Sequence, residues 1–248
     1  MPLMTPPPMT PSPMTPSPMT PPSRELLTRI RAAEVVCFDN DGTLFDSMGA
    51  VNPAIQRVYV EFVRSGGLKL PAPTDAEVCS HTGKPGLQFF HDLLPPELRS
   101  RAAEFREMCV DEEAREVLAH GALYDGIREL LIELRGSGRK LALATNGGER
   151  YIAAVAQRLD YDRLLDGVWW FGRDGIDSKI GMLLAARTAL GGPGMVMVGD
   201  RTADVEAARA TEAIAVGCLW GFGGPAELAD ADVLVETSRD LRALWFDR

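Results

Sequence analysis

The stretch VVCFDNDGTLFDS, residues 35–47, is an apolar run that stops abruptly at two carboxylates. Val35 to Phe38 have the β-branched and apolar composition of a buried strand. Asp39 and Asp41 follow two residues apart, and extended backbone sends alternate side chains to one face. Gly42 and Thr43 then punctuate the chain as a turn.

Two more apolar strands end in the same manner. LALA, residues 141–144, runs into Thr145, Asn146, Gly147 and Gly148, and MVMV, residues 195–198, runs into Gly199 and Asp200. A lone Asp at a strand end commonly caps the turn behind it. That reading serves any one of these residues and serves the set less well. Helical patterns separate the strands: SRELLTRIRAAE from Ser23, its expected N-cap, then GIRELLIELRGSG, RYIAAVAQRLD, SKIGMLLAARTALGG and ADVEAARA. VWWFG, AIAVGCLW and DVLV read as further strands. Alternating helices and apolar strands predict an α/β fold, a Rossmann-like doubly wound parallel sheet covered on both faces. Ligands of such sheets bind beyond the carboxyl ends of the strands, where Asp39, Thr145 and Asp200 fall.

Between about Met48 and His120 the spacing is helical and strand signals are few. The expected organisation is therefore a core from residues 24–47 and 121–248, with a small α-helical insert at 48–120. Tyr124 and Asp125 mark the return to the core. Within the insert, Arg57 and Arg64 read as a solvated helix face, and Leu87, Phe89, Phe90, Met108 and Cys109 as packing. Cys37 reads as a small packed residue of its strand.

The 248 residues suffice for one good core and a second small lobe. A net charge of −9 argues against nucleic acid as a partner. Four cysteines without CxxC or Cys/His spacing fit a reducing cytoplasm better than a disulfide framework or a zinc site. No apolar run approaches the ~20 residues of a membrane span, so no membrane association is expected. Residues 1–23 are a Pro-rich tail whose MTPPP and MTPSP repeats predict extended or disordered chain. That tail reads either as a ligand for a groove-binding domain or as solvated chain, including one translated from an upstream start.

In order and strand context, Asp39-Asn40-Asp41-Gly42-Thr43, Thr145-Asn146, Lys179 and Gly199-Asp200-Arg201-Thr202-Ala203-Asp204 resemble the four motifs of the haloacid dehalogenase superfamily. The resemblance covers about residues 34–245. The closing GCLWGFGGPAELADADVLVETSRDL resembles the phosphoglycolate-phosphatase-like branch, which often carries a Trp-Gly-aromatic-Gly stretch there. The resemblance implies that the helical insert is a mobile cap. It implies a catalytic set of Asp39 as nucleophile, Asp41 as general acid, Thr145 and Lys179. Thr145, the backbone amide of Asn146 and Lys179 would bind the phosphoryl group. Mg²⁺ would be held by Asp39, the backbone carbonyl of Asp41 and Asp200, with Asp204 behind them. Two departures stand out: IDSKIGM lacks the Lys-Pro common before Lys179, and Gly147-Gly148 replace a common Lys-Pro after Asn146.

Charge supports the same assignments. Asp39, Asp41, Asp200 and Asp204 against Lys179 leave three negative charges, which cannot receive a phosphate dianion without a divalent cation. All-oxygen donors without a neighbouring His favour Mg²⁺ over Zn²⁺. An acid at Asp41 also argues against dehalogenation, because halide leaves without a proton. The expected activity is Mg²⁺-dependent hydrolysis of a small phosphorylated metabolite, with 2-phosphoglycolate as the first candidate. A nucleotide or sugar-phosphate phosphatase is the alternative, and a non-catalytic phosphate-binding protein a more distant one. SHTGKPGLQFF, residues 80–90, is a polar, Gly-punctuated turn entering a helix, and the resemblance implies a substrate-contacting loop around there. There Lys84 either pairs with a substrate carboxylate or is a solvated lysine, and His81 or Gln88 could add hydrogen bonds. Nothing in the sequence indicates an oligomeric state.

Overall fold

The computed structural model describes residues 22–192 and 194–247. The Pro-rich repeat, residues 1–21, lies outside them. The core is a six-stranded sheet in which every pairing is parallel. Its strands are β1 (Val35–Phe38), β2 (Lys140–Thr145), β3 (Gly167–Trp170), β4 (Met195–Gly199), β5 (Ile214–Cys218) and β6 (Val233–Val235). Their order is β3-β2-β1-β4-β5-β6, so the chain leaves β1 in one direction and returns on its other side. The crevice of such a reversal opens beside the carboxyl end of β1. Register places Phe38 beside both Leu143 and Val198, which brings the ends of β1, β2 and β4 to one edge.

Strand alternation sorts the core onto two faces. Val36, Phe38, Leu143, Val198 and Val216 face one way, onto α1 (Arg24–Ala32), α6 (Ile127–Gly136), α7 (Glu149–Leu159) and α11 (Ser238–Phe246). Val35, Cys37, Ala142, Ala144 and Ala215 face the other, onto α9 (Lys179–Leu190) and α10 (Thr202–Ala210). Small residues on that face let α9 and α10 lie close to the sheet, which matters for Lys179 and Asp204. Ser23 caps α1 by accepting from the Leu26 amide at 3.1 Å. Cys37 is fully buried, and burial pushes its thiol up to about 12, consistent with packing.

A helical insert separates β1 from α6. It comprises α2 (Ser47–Ser65), α3 (Asp75–His81), α4 (Gln88–Leu93), a 3-10 turn at Pro96–Arg101 and α5 (Ala102–His120). Phe105 centres its packing, with its ring 5.1 Å from Phe62 and 6.1 Å from Phe90. Two expectations need correction here: Leu87 and Met108 are exposed rather than packed. Arg57 is exposed as expected and also crosses from α2 to pair with Glu112 at 2.9 Å and with Glu116. Two helices escaped the sequence reading, α8 (Tyr161–Leu164) and α11. The latter opens with a capping box between Thr237 and Asp240. No helix among the described residues is long and apolar enough to cross a membrane.

Candidate active site

Asp39 leaves β1 almost fully buried, with its amide still tied to the Val198 carbonyl at 2.9 Å. Its Oδ1 accepts from Lys179 Nζ at 2.6 Å, and the same ammonium donates to Asp204 Oδ1 at 2.7 Å. Lys179 is the first residue of α9, where the helix dipole disfavours a cation. Burial also opposes its charge, but Asp204 and Asp39 outweigh burial and hold the ammonium protonated. Asp204 is fixed from behind by the Arg201 amide, which donates to its Oδ2 at 3.0 Å.

Asp200 follows β4. Thr43 Oγ1 donates to its Oδ1 at 3.1 Å, and the Phe222 amide to its Oδ2 at 2.7 Å. Burial, then the charge of Asp204, pushes its carboxyl up to about 7. The Trp-Gly-Phe-Gly stretch after β5 wraps this residue. A Cβ at Gly221 would lie 2.4 Å from Asp200 Oδ2 and from the Gly42 carbonyl oxygen, so only glycine fits there. Gly42 itself turns the chain at φ +83, and a Cβ there would meet Asp200 Oδ2 at 2.3 Å.

Asp41 sits in different surroundings from Asp39. Tyr151 of α7 donates its hydroxyl to Oδ1, and Asn40 Nδ2 donates to Oδ2 at 3.1 Å. Asn40 is oriented in turn by the Tyr161 hydroxyl at 2.8 Å. Burial raises the Asp41 carboxyl above its ordinary range, with the Tyr151 and Asn40 hydrogen bonds acting the other way. Burial also raises Asp39 well above that range, with Lys179 opposing.

Thr145 ends β2, and its Oγ1 accepts from the Gly147 amide at 3.1 Å. Asn146 reaches the insert, donating to the Gly83 carbonyl at 2.7 Å. Asp39, Asp41, Thr145 and Asn146 open onto a cavity of about 140 Å³ between the sheet edge and the insert. Lys84 lines it too, but donates to Asp92 Oδ2 at 2.8 Å and lies 2.8 Å from His81 Nδ1. The lysine is therefore neither free nor simply solvated, and that contact holds the Asp92 carboxyl down at about 2. Gln88 is exposed and does not line the cavity.

Sequence reasoning assigned no part to Tyr151, Arg106 or Glu113, which line the same cavity. Tyr151 carried a weak signal as the polar-tipped residue of an otherwise apolar helix face. Glu113 carried a better one: it falls on the buried stripe Phe105, Cys109, Val117 at four-residue steps.

Oxygens of Asp39, Asp200 and Asp204 lie within 4.8 Å of one another, all three residues being buried. Such hard, anionic donors suit Mg²⁺. The residues present thus fit a divalent cation.

A doubly wound parallel sheet with carboxylates crowded at its switch point, overlain by a helical insert, defines an α/β protein with a ligand site at that switch point. Residues 33–211 match the haloacid dehalogenase-like hydrolase family, and the chain belongs to that family. It is 27% identical over 228 residues to a phosphoglycolate phosphatase of Pseudomonas putida, covering 85% of this chain and 78% of that protein. It is 28% identical over 207 residues to the tyrosine-protein kinase PtkA of Mycobacterium tuberculosis, covering 77% of this chain and 63% of the relative. A haloacid dehalogenase-like hydrolase structure from Streptococcus pneumoniae superposes with a TM-score of 0.71 at 23% identity, covering 86% and 98% of the two chains.

Proposed function

We propose that this phosphatase hydrolyses a small phosphomonoester in a Mg²⁺-dependent reaction, with Asp39 as the covalent nucleophile. The observation that carries the reading is the contrast between two carboxylates two residues apart. Asp39 is held by an ammonium, whereas Asp41 is held by a tyrosine hydroxyl and an amide at the cavity wall. Carboxyls in environments that differ this way take different chemical roles.

Asp39, Asp200 and the Asp41 backbone carbonyl would hold Mg²⁺, with Asp204 behind them. Bound there, the ion supplies charge to offset the phosphoryl oxygens and orients them for displacement. Asp39 attacks phosphorus as the bond to the leaving oxygen breaks, and Asp41 gives that oxygen its proton. Asp41 then takes a proton from the water that attacks the aspartyl-phosphate, which releases inorganic phosphate and restores Asp39 as a carboxylate and Asp41 as the protonated acid. Lys179, the Thr145 hydroxyl and the Asn146 amide stabilise charge on the transferring oxygens. Lys179 also opposes the effect of burial on Asp39 and so favours the ionised form that attacks. The helical insert acts as the cap that shields this chemistry from bulk water.

The name of the Pseudomonas putida relative makes 2-phosphoglycolate one substrate to test. The pairing of Lys84 with Asp92 favours the second reading, a neutral sugar-like phosphate, because among the described residues the expected partner of a substrate carboxylate is already paired. A cavity of about 140 Å³ suits a small leaving group better than a nucleoside. Phosphate release from a panel of phosphomonoesters, with Mg²⁺ and with chelator, tests the reading. Release that persists in chelator would sink it.

A further inference from the structure

With the reaction assigned as above, Asp41 marks the side on which the leaving group lies, so the cavity wall beyond it meets that group. Glu113 of α5 is part of this wall and is 5% exposed. An enclosed carboxylate is costly unless a partner satisfies it. Among the described residues none hydrogen-bonds it: Arg106 acts on it only at a distance, and the other charge acting on it is the negative one of Asp41. A residue kept at this position for packing alone would be served better by leucine.

The cations around the cavity are accounted for differently. Lys84 pairs with Asp92 at 2.8 Å, Arg106 with Glu107 at 2.9 Å, and Arg150 with Asp111 at 2.8 Å and also with Glu107. A substrate carboxylate entering here would meet the unpartnered acid of Glu113 before it met an unpaired cation. Val51, Ile55, Phe90 and Val110 make up much of the remaining wall and offer no polar contact.

Resting on the reading of Asp39 and Asp41, we propose that Glu113 is a specificity-determining residue that accepts a hydrogen bond from a hydroxyl or ammonium on the leaving group. Preferred substrates are then short phosphomonoesters bearing a donor a few bonds from the ester oxygen, as in a polyol or amino-alcohol phosphate. Carboxylated ones such as 2-phosphoglycolate are disfavoured where Glu113 is ionised, above about pH 8.

The test uses the full-length, Mg²⁺-loaded chain and kcat/KM for glycerol 1-phosphate, phosphoethanolamine, propyl phosphate and 2-phosphoglycolate. Wild type, Glu113→Gln, Glu113→Leu and Asp39→Asn are compared, with thermal melts to confirm folding. The ratio of glycerol 1-phosphate to propyl phosphate should fall about ten- to a hundredfold in Glu113→Leu, the worth of one hydrogen bond to an ionisable group. Glu113→Gln keeps an acceptor oxygen and should fall less, and it carries the test if the leucine variant does not fold. An unchanged ratio in both variants, or 2-phosphoglycolate as the best wild-type substrate at pH 9, where Glu113 is ionised, overturns the role of Glu113 while leaving the reaction intact. Release that survives in Asp39→Asn, or no release from any compound, overturns the reaction first and the role of Glu113 with it.

Discussion

Lys179 donates to Asp39 at 2.6 Å from the first turn of α9, a position where both the helix dipole and burial oppose its charge. The contact persists because Asp204 accepts from the same ammonium at 2.7 Å. Removing one member of such a buried set leaves the others uncompensated. Lys179→Met should therefore lower kcat/KM at least about a hundredfold, as expected for loss of a preorganised charge at a developing oxyanion. Steady-state phosphate release at saturating Mg²⁺ checks this. An activity within a few-fold of wild type would remove Lys179 from the mechanism.

Tyr151 donates to Asp41 Oδ1, and under the proposed reaction that contact orients the acid rather than meeting the substrate phosphorus. Tyr151→Phe deletes only the hydroxyl and should lower kcat by about ten- to a hundredfold, matching 1–3 kcal/mol for one charge-assisted hydrogen bond. The loss should be larger for alkyl phosphates, whose leaving oxygen needs a proton, than for p-nitrophenyl phosphate, whose does not. Equal losses on both compounds would show that Tyr151 is structural.

Glu113 gives a pH dependence of stability that is separate from catalysis. Burial first, then Asp41, push its carboxyl from the ordinary 4.5 up to about 8 in the folded chain. Between those values the folded state keeps a proton that the unfolded chain gives up. This contribution is thus fully present below the ordinary pKa and is lost as pH rises toward the folded one. The slope is at most about 1.4 kcal/mol per pH unit from this one group. Denaturant melts of wild type and Glu113→Gln should diverge in favour of the variant as pH rises through this window. Parallel curves would mean that the carboxyl is not held in this environment.

Gly221 permits the close approach of the chain to Asp200. Gly221→Ala would place a methyl 2.4 Å from Asp200 Oδ2 and from the Gly42 carbonyl oxygen, so the carboxylate must shift. The Mg²⁺ concentration for half-maximal activity should rise about tenfold or more, in the range for disturbed support of a ligand. Unchanged activation by Mg²⁺ would argue that Asp200 does not hold the ion.

The sheet was legible in the sequence because its strands are buried on both faces. VVCF, LALA and MVMV are continuous apolar runs that no surface strand would carry, and each ends in a polar residue at the same sheet edge. The gathering of Asp39, Asp41, Thr145, Asn146, Lys179, Asp200 and Asp204 at that edge follows from strand order, which local spacing and a resemblance could indicate. The cavity wall was not legible. Glu113 sits in DEEAREV, where neighbouring charges suggest a solvated face and mask its place on the stripe of Phe105, Cys109 and Val117; the packing of α5 shows that it points inward. Lys84 looked available for a substrate because Asp92, eight residues later, gave no sign that it folds back onto it.

The central claim is that Asp39 carries the phosphoryl group. Acid-quenching the wild-type enzyme during turnover, followed by peptide mass spectrometry, addresses it most directly. A phosphate adduct on the peptide containing Asp39, present with Mg²⁺ and absent in Asp39→Asn together with all phosphate release, is the predicted result. Continued release by Asp39→Asn, or an adduct on a different residue, would contradict it.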